Sequence, residues 1–219
     1  MPCIACMLEQ SLNSGYFAMH EELPFRIIFV VLYVMGFFMR GYVTSGLKKN
    51  CQRILPKAGN MRNSSRFRIV FQRSMFFLWI FIVVSYAWYP SWMNVLKLPF
   101  PLWLRYGGAG AGFMAFVLLI ATMKSLGRYW SPLPQLMEGH ELITSGPYRF
   151  VRHPMYAAMM VLFVSFALVT ANVLVTISSL LAILLTLKWC NKEERMLMDH
   201  FGDEYREYMK HSGRFFPRP

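Results

Sequence analysis

Residues 154–189 read PMYAAMMVLFVSFALVT, then AN, then VLVTISSLLAILLTLKW. Two apolar runs, Pro154 to Thr170 and Val173 to Trp189, are interrupted only by Ala171 and Asn172. Each run is apolar on every helical face, which suits lipid better than the one-sided burial of a soluble helix. Two such runs joined by two residues predict a tight antiparallel helical hairpin across a membrane. Both outer flanks of this hairpin then lie on one side of the bilayer.

Those flanks hold the chemistry. Before the hairpin stands Gly146-Pro147-Tyr148-Arg149-Phe150-Val151-Arg152-His153, leading into Pro154-Met155-Tyr156. After it stands Glu193-Glu194-Arg195. Gly146 and Pro147 impose a turn, and Pro154 suits a first helical turn, where its missing N–H costs nothing. The helix start beside His153 offers N–H groups to an anion. Arg149 and Arg152 reaching headgroups, with Tyr148 and Tyr156 in an aromatic belt, is the plainer alternative. With the fifth span ending at Trp189, Glu193 and Glu194 follow a helix C-terminus, where acids oppose the macrodipole. The plainer alternative there is a helix that continues into water.

Three further apolar runs precede these, near Pro24 to Val43, Ile69 to Trp88 and Leu104 to Met123. The fold expected is therefore all-α, a membrane bundle of about five spans. The chain is 56% hydrophobic and 16% charged, whereas soluble domains carry about 25% charged residues. The net charge of +12 sits between apolar runs rather than along one soluble face, so nucleic acid is not an expected partner and membrane lipids are. The connection from Ser45 to Ser74 holds Lys48, Lys49, Arg53, Lys57, Arg62, Arg66, Arg68 and Arg73 without an acid. Glu9, Glu21 and Glu22 precede the first span. The positive-inside rule puts the N-terminus outside and this connection in the cytoplasm. Counting spans from there places both polar flanks of the hairpin and the C-terminal tail in the cytoplasm. The first apolar run follows acids rather than a basic region, so no cleavable signal peptide is expected.

Two other motifs carry less. Cys3 and Cys6 form one C-x-x-C without a second ligand pair of matching spacing, and no metal centre is expected. Gly110-Ala111-Gly112-Phe113-Met114-Ala115 fits G-x-G-x-x-A, but no strand or βαβ unit surrounds it, as a dinucleotide site requires. Gly108 and Gly112 instead present a small face on which a neighbouring helix can pack closely. In the tail, Phe201, Tyr205 and Tyr208 share helical spacing, predicting an amphipathic helix that lies on the membrane or caps the site.

The ordered motifs resemble a known family. Gly139-His140-Glu141-Leu142-Ile143-Thr144-Ser145-Gly146-Pro147-Tyr148-Arg149-Phe150-Val151-Arg152-His153-Pro154-Met155-Tyr156 is similar to the signature of the isoprenylcysteine carboxyl methyltransferases. Membrane phospholipid N-methyltransferases share its R-H-P-x-Y core. Glu193-Glu194-x-x-Leu197, Phe201-Gly202-x-x-Tyr205-x-x-Tyr208, Arg214-x-x-Pro217 and, upstream, Leu126-Gly127-x-x-Trp130-Ser131 fit as well. The resemblance covers roughly residues 124 to 217. It divides the chain into 1–123, N-terminal spans with the basic connection, and 124–219, a methyltransferase-like region.

The resemblance implies S-adenosylmethionine as cofactor, bound without a Rossmann fold. It implies cofactor contacts from His140, Glu141, Leu142, Ile143, Tyr148, His153, Pro154, Met155, Tyr156 and Glu193. Arg152, Glu193 and Glu194 are the expected catalytic residues. Arg152 or the helix start at Pro154 would hold the cofactor's carboxylate, and Glu194 or His153 would serve as base for a thiol or amine acceptor. The acceptor is expected to be lipophilic, a small molecule or lipidated substrate. A prenylcysteine-like or other lipid-like carboxylate comes first on family grounds, with phospholipid amines and thiols as alternatives. Two departures bear on this. Ala158 replaces a frequent Gly, and Trp189, beside Lys188, stands where prenylcysteine enzymes carry a substrate-contacting Arg. The competing classes are an NADPH-dependent sterol-type reductase, which tends to carry R-H-x-N-Y, and a non-enzymatic membrane protein. Cofactor binding separates them.

Overall fold

The structure, a computed structural model, describes residues 21–39, 65–88, 92–129, 139 and 141–218. Its helices are α1 (Glu21–Met39), α2 (Ser65–Trp88), α3 (Trp92–Val95), α4 (Leu102–Leu126), α5 (Pro154–Thr170), α6 (Val173–Phe201) and α7 (Asp203–His211). Two 3-10 turns, Gly127–Tyr129 and Gly146–Arg149, lie between α4 and α5. Among the described residues there is no strand, only two isolated bridges, and no Rossmann unit. The expected all-α membrane bundle is what forms. α1, α4 and α6 are long and apolar enough to cross a membrane, while α5 and the described apolar part of α2, Phe77–Trp88, are shorter.

α4 packs along α5 and α5 along α6. Small residues make the first contact possible. A Cβ on Gly108 would meet Leu168 Cβ at 2.6 Å, and one on Gly112 would collide with Ser165 Oγ. Ser165 Oγ donates to Gly108 O at 2.7 Å, so the close approach also satisfies a buried hydroxyl. Phe29, Leu32, Tyr86, Phe116, Leu119, Phe166 and Val169 fill the core behind this seam.

The α5–α6 hairpin turns as expected at Ala171 and Asn172. Ala171 caps α5 in the left-handed region (φ 44°, ψ 45°), and Asn172 caps α6 by accepting from Leu174 N at 3.0 Å. The loop after α3 clamps the turn: Leu98 N donates to Ala171 O at 2.6 Å and Val173 N to Leu96 O at 2.9 Å.

Beside this turn lies an ion cluster that the sequence reading did not assemble. Glu22, expected in a tail before the first span, sits inside α1 and is buried. Arg105 of α4 donates to Glu22 Oε1 at 2.8 Å and Oε2 at 2.6 Å. Its Nε and Nη2 donate to Val169 O at 3.0 and 2.9 Å. Lys97 Nζ lies 2.8 Å from Glu22 Oε1, and Phe25 stacks on the guanidinium at 3.6 Å. Tyr86 OH donates to Thr170 O at 3.4 Å. Val169 and Thr170 are in the last turn of α5, whose carbonyls lack helical partners. The cluster thus satisfies a helix end buried in the bundle.

α6 differs from the expected span. It does not end near Trp189 but runs on to Phe201, 29 residues in all, which is the plainer alternative of a helix that continues past the span. A span needs about 20 residues, so roughly nine extend past the apolar layer. Glu193 and Glu194 therefore lie within a continuous helix, and the macrodipole argument drawn from a helix end does not apply to them. Lys, Glu, Arg, Met and Leu after Trp189 are all good helix formers. The first breaker is Gly202, at φ 53°, which turns the chain into α7.

Candidate functional site

The site forms where the segment before α5 meets the overhanging end of α6. Gly146, at φ 59°, opens the 3-10 turn that buries Tyr148. Three residues later the chain meets its own tail. Gly213 N donates to Phe150 O at 3.0 Å, Arg152 N to Gly213 O at 2.8 Å, and His153 N to Arg214 O at 3.1 Å. Residues 212–215 thus run parallel to 150–153 as a strap. α7 folds in front of it, and Tyr208 OH donates to Tyr148 O at 2.5 Å. The tail helix caps the site, the second of the two placements expected for it.

These elements enclose a cavity with an empty volume of about 540 Å³, including its open mouth. Small-molecule sites occupy about 300–1,000 Å³. Glu141, Leu142, Ile143, Tyr148, Arg152, His153, Met155, Tyr156 and Glu193 line it, all singled out in the sequence. Leu126, Leu197, Tyr205 and Tyr208 complete the lining. Their motifs were legible, but nothing in the sequence said that they share this wall. Pro154 is buried at the first turn of α5 without lining the cavity. His140 lies outside the described residues, as do Cys3, Cys6, Cys51, Trp130, Ser131 and residues 40–64 of the basic connection.

The adjacent acids Glu193 and Glu194 of α6 part company, because neighbours on a helix point about 100° apart. Glu193 faces the cavity and accepts a hydrogen bond from Tyr156 OH. Glu194 turns away from it, towards Arg214, His153 and Arg152. Its Oε2 is 2.9 Å from Arg214 Nη2, and its Oε1 is 3.2 Å from His153 Nε2 and 3.6 Å from Arg152 Nε. The last two contacts are close but poorly aligned: Arg152 Nε, His153 Nε2 and Glu194 Oε1 are buried without a hydrogen bond. Arg152 Nη1 donates instead to Ser212 O at 2.5 Å and Met209 O at 3.2 Å. Arg214 also bonds Asn191 Oδ1.

Charge states follow from these surroundings. Burial alone would raise the Glu194 pKa, but His153, Arg214 and Arg152 outweigh it and hold the carboxyl below its ordinary value. Burial pushes the Tyr148 and Tyr205 hydroxyls well above theirs, and raises Tyr208 to about 12. These three tyrosines therefore face the cavity as neutral phenols. Glu194, ionised but held away from the cavity by Arg214, His153 and Arg152, is badly placed for the base role expected of it. His153 turns Nε2 towards Glu194. Glu193 is the α6 carboxylate on the cavity wall.

The donor set suits an adenosyl sulfonium. Two carboxylates and four tyrosines supply negative charge and π-faces, and Leu126, Leu142, Ile143, Met155 and Leu197 supply apolar surface for a base. Among the described residues no cluster of His, Cys, Asp or Glu has the makings of a metal site.

Comparisons with known proteins bear on the family and the fold. Residues 103–204 match the family described as phospholipid methyltransferase. The matched stretch takes in α4 from Trp103, the site segment, the hairpin and the start of α7. The chain is 31% identical over 114 residues to the nickel-cobalt-cadmium resistance protein NccN of Alcaligenes xylosoxydans xylosoxydans, covering 49% of this chain and 51% of the relative. It is 30% identical over 105 residues to the cobalt-zinc-cadmium resistance protein CzcN of Cupriavidus metallidurans, covering 46% and 47%. The chain thus spans about half the length of the curated relatives it matches. A solved structure of a eukaryotic intramembrane Ras methyltransferase, ICMT (isoprenylcysteine carboxyl methyltransferase), superposes with a TM-score of 0.50 at 22% identity. The match covers 74% of this chain and 58% of that one, and at that identity it establishes a shared fold.

Proposed function

We propose that this integral membrane protein, whose residues 103–204 match the phospholipid methyltransferase family, is an S-adenosylmethionine-dependent methyltransferase acting on a lipophilic acceptor. One observation carries the reading. The segment from Glu141 to Tyr156 and Glu193 of α6, distant in sequence, line one cavity at the polar end of a membrane hairpin. An enzyme that joins a water-soluble cofactor to a membrane-borne acceptor needs a site at that place.

When bound, S-adenosylmethionine would supply an electrophilic methyl group on a sulfonium, and the sulfur would leave as a neutral thioether. The chain's residues have three tasks. Tyr148, Tyr156, Tyr205 and Tyr208 would hold the cationic centre against their ring faces. Glu193, fixed by the Tyr156 hydroxyl, would stabilise that charge and take a proton from an acceptor that carries one. α7 would exclude water from the cavity. Positioning supplies much of the rate in such an in-line displacement.

The acceptor's polarity follows from the cations. Arg152 is the one arginine or lysine among the described lining residues, and two backbone carbonyls occupy it. Trp189, one turn before Glu193, is 41% exposed and carries no charge. An acceptor carboxylate would find no ready counter-charge. These observations favour an amine or thiol acceptor over the carboxylate that the family resemblance puts first. We place the cavity on the cytoplasmic face, on the strength of the basic connection before α2.

Calorimetric titration of the detergent-purified protein with S-adenosylmethionine and S-adenosylhomocysteine, with NADPH in parallel, tests the reading. We expect adenosyl binding, weakened in Glu193→Gln and abolished in His153→Ala, and no NADPH binding. NADPH binding without adenosyl binding would instead point to a reductase. An unaltered S-adenosylmethionine affinity in a folded Glu193→Gln protein would remove Glu193 from the site.

A further inference from the structure

We propose that Arg214 is a positioning residue for the cavity, so that the strap after α7 is part of the binding site. What the cavity binds rests on the methyltransferase reading, whereas what Arg214 holds does not. The family match ends at Glu204 and does not reach the strap, although Arg214-x-x-Pro217 is among the motifs of the resemblance.

Arg214 reaches three pieces of the site at once. Its carbonyl accepts from His153 N, directly before the first turn of α5. Its guanidinium bonds Glu194 and Asn191 on α6. One residue therefore ties the start of one hairpin arm to the overhang of the other. It does not itself line the cavity, so its influence passes through the residues that do. By engaging Oε2 of Glu194 it leaves Oε1 towards His153 and Arg152 at distances too poorly aligned for hydrogen bonds. Without Arg214, Glu194 is free to rotate onto His153 or Arg152 and draw that side chain from the cavity wall.

The strap is built for this contact. A Cβ on Gly213 would collide with Phe216 O, so the turn around Arg214 tolerates no side chain there. Ser212 is fully buried, and its hydroxyl donates to Tyr208 O at 2.6 Å, which registers the strap against α7. Arg214 itself keeps 36% of its side chain exposed. Its removal should disturb the site more than the bundle.

The test compares full-length wild type with Arg214→Ala, Arg214→Lys and the exposed control Arg206→Ala. One arm measures S-adenosylhomocysteine affinity. The other measures amide hydrogen exchange of residues 148–157 without ligand, with melting temperature recorded throughout. In Arg214→Ala we expect affinity to fall by about tenfold to a hundredfold, the scale of a small misplacement, with faster exchange confined to 148–157. Methylguanidinium should restore both. Lys, a point charge rather than a fork, should restore them in part. Arg206→Ala should match wild type. Unchanged affinity and exchange in Arg214→Ala would overturn the proposal. So would losses that follow a chain-wide drop in stability and resist methylguanidinium. If the wild type binds no adenosyl compound, the methyltransferase reading fails, while the exchange arm still decides what Arg214 holds.

Discussion

The bundle buries charge at both ends, and the two clusters are built differently. At the hairpin turn, Glu22, Arg105 and Lys97 are closely paired: the Arg105 fork takes both carboxylate oxygens and a helix-end carbonyl, and Lys97 closes the edge. At the other end, Arg152, His153, Glu194 and Arg214 crowd together with four of their polar atoms buried and unbonded. A fully bonded ion network fixes one conformation. A partly bonded one beside a cavity keeps alternatives close in energy, as a site that must admit and release a ligand requires. The first cluster acts as a lock, and the second as machinery that the lock holds steady.

Substitutions can separate these roles. Arg105→Ala leaves Glu22 buried without its fork, and we expect the largest loss, about 3–5 kcal/mol, as a lower melting temperature in detergent. Replacing Glu22 and Arg105 together by Leu and Met should recover most of it, because a buried pair is often replaceable by apolar packing. Adenosyl affinity of the folded double variant should stay near wild type. Failure of that rescue would mean that the far cluster does more than hold the bundle.

Glu194→Gln should behave oppositely. It costs about 1–3 kcal/mol in stability, but no apolar replacement restores ligand affinity, since Arg152 and Arg214 then lack their anion. The same carboxylate sets a pH dependence. Its folded pKa lies below the ordinary 4.5, so its contribution is complete above that value and is lost as pH falls through the depressed one. Melting temperatures followed from pH 7 towards pH 3 should show a steeper acid limb in wild type than in Glu194→Gln. Equal limbs would count against the cationic cage around Glu194. Tyr208→Phe removes one hydrogen bond to Tyr148 O and should cost about 1 kcal/mol, with faster exchange in α7. The smallest effect belongs to the turn: Ala171→Gly relieves a left-handed alanine and should stabilise by under about 1 kcal/mol, without touching affinity.

The hairpin was legible because two apolar runs and a two-residue break leave a chain few other arrangements in lipid. The site segment was legible because Gly146, Arg152, His153 and Tyr156 stand in a recognisable order. The far cluster was not. Glu22 and Arg105 each lie at the edge of an apolar run, where a charge looks solvated, and only tertiary packing reveals that residues 83 apart form one pair. The end of α6 was left open because hydropathy falls at Lys188 while helix propensity does not. Which acid faces the cavity was hidden for a related reason: adjacent letters differ by a rotation that depends on the whole helix's placement.

The brevity of α5 has a consequence for the membrane itself. Its 17 residues rise about 25 Å, less than the roughly 30 Å of an ordinary hydrocarbon core. A helix shorter than the core gains no reach by tilting, so the lipid beside α5 must compress. Local thinning would draw the headgroup layer down to the cavity mouth and shorten the climb an acceptor makes to reach Glu193. Turnover in vesicles should then depend on acyl-chain length, and be faster in thin bilayers than in thick ones.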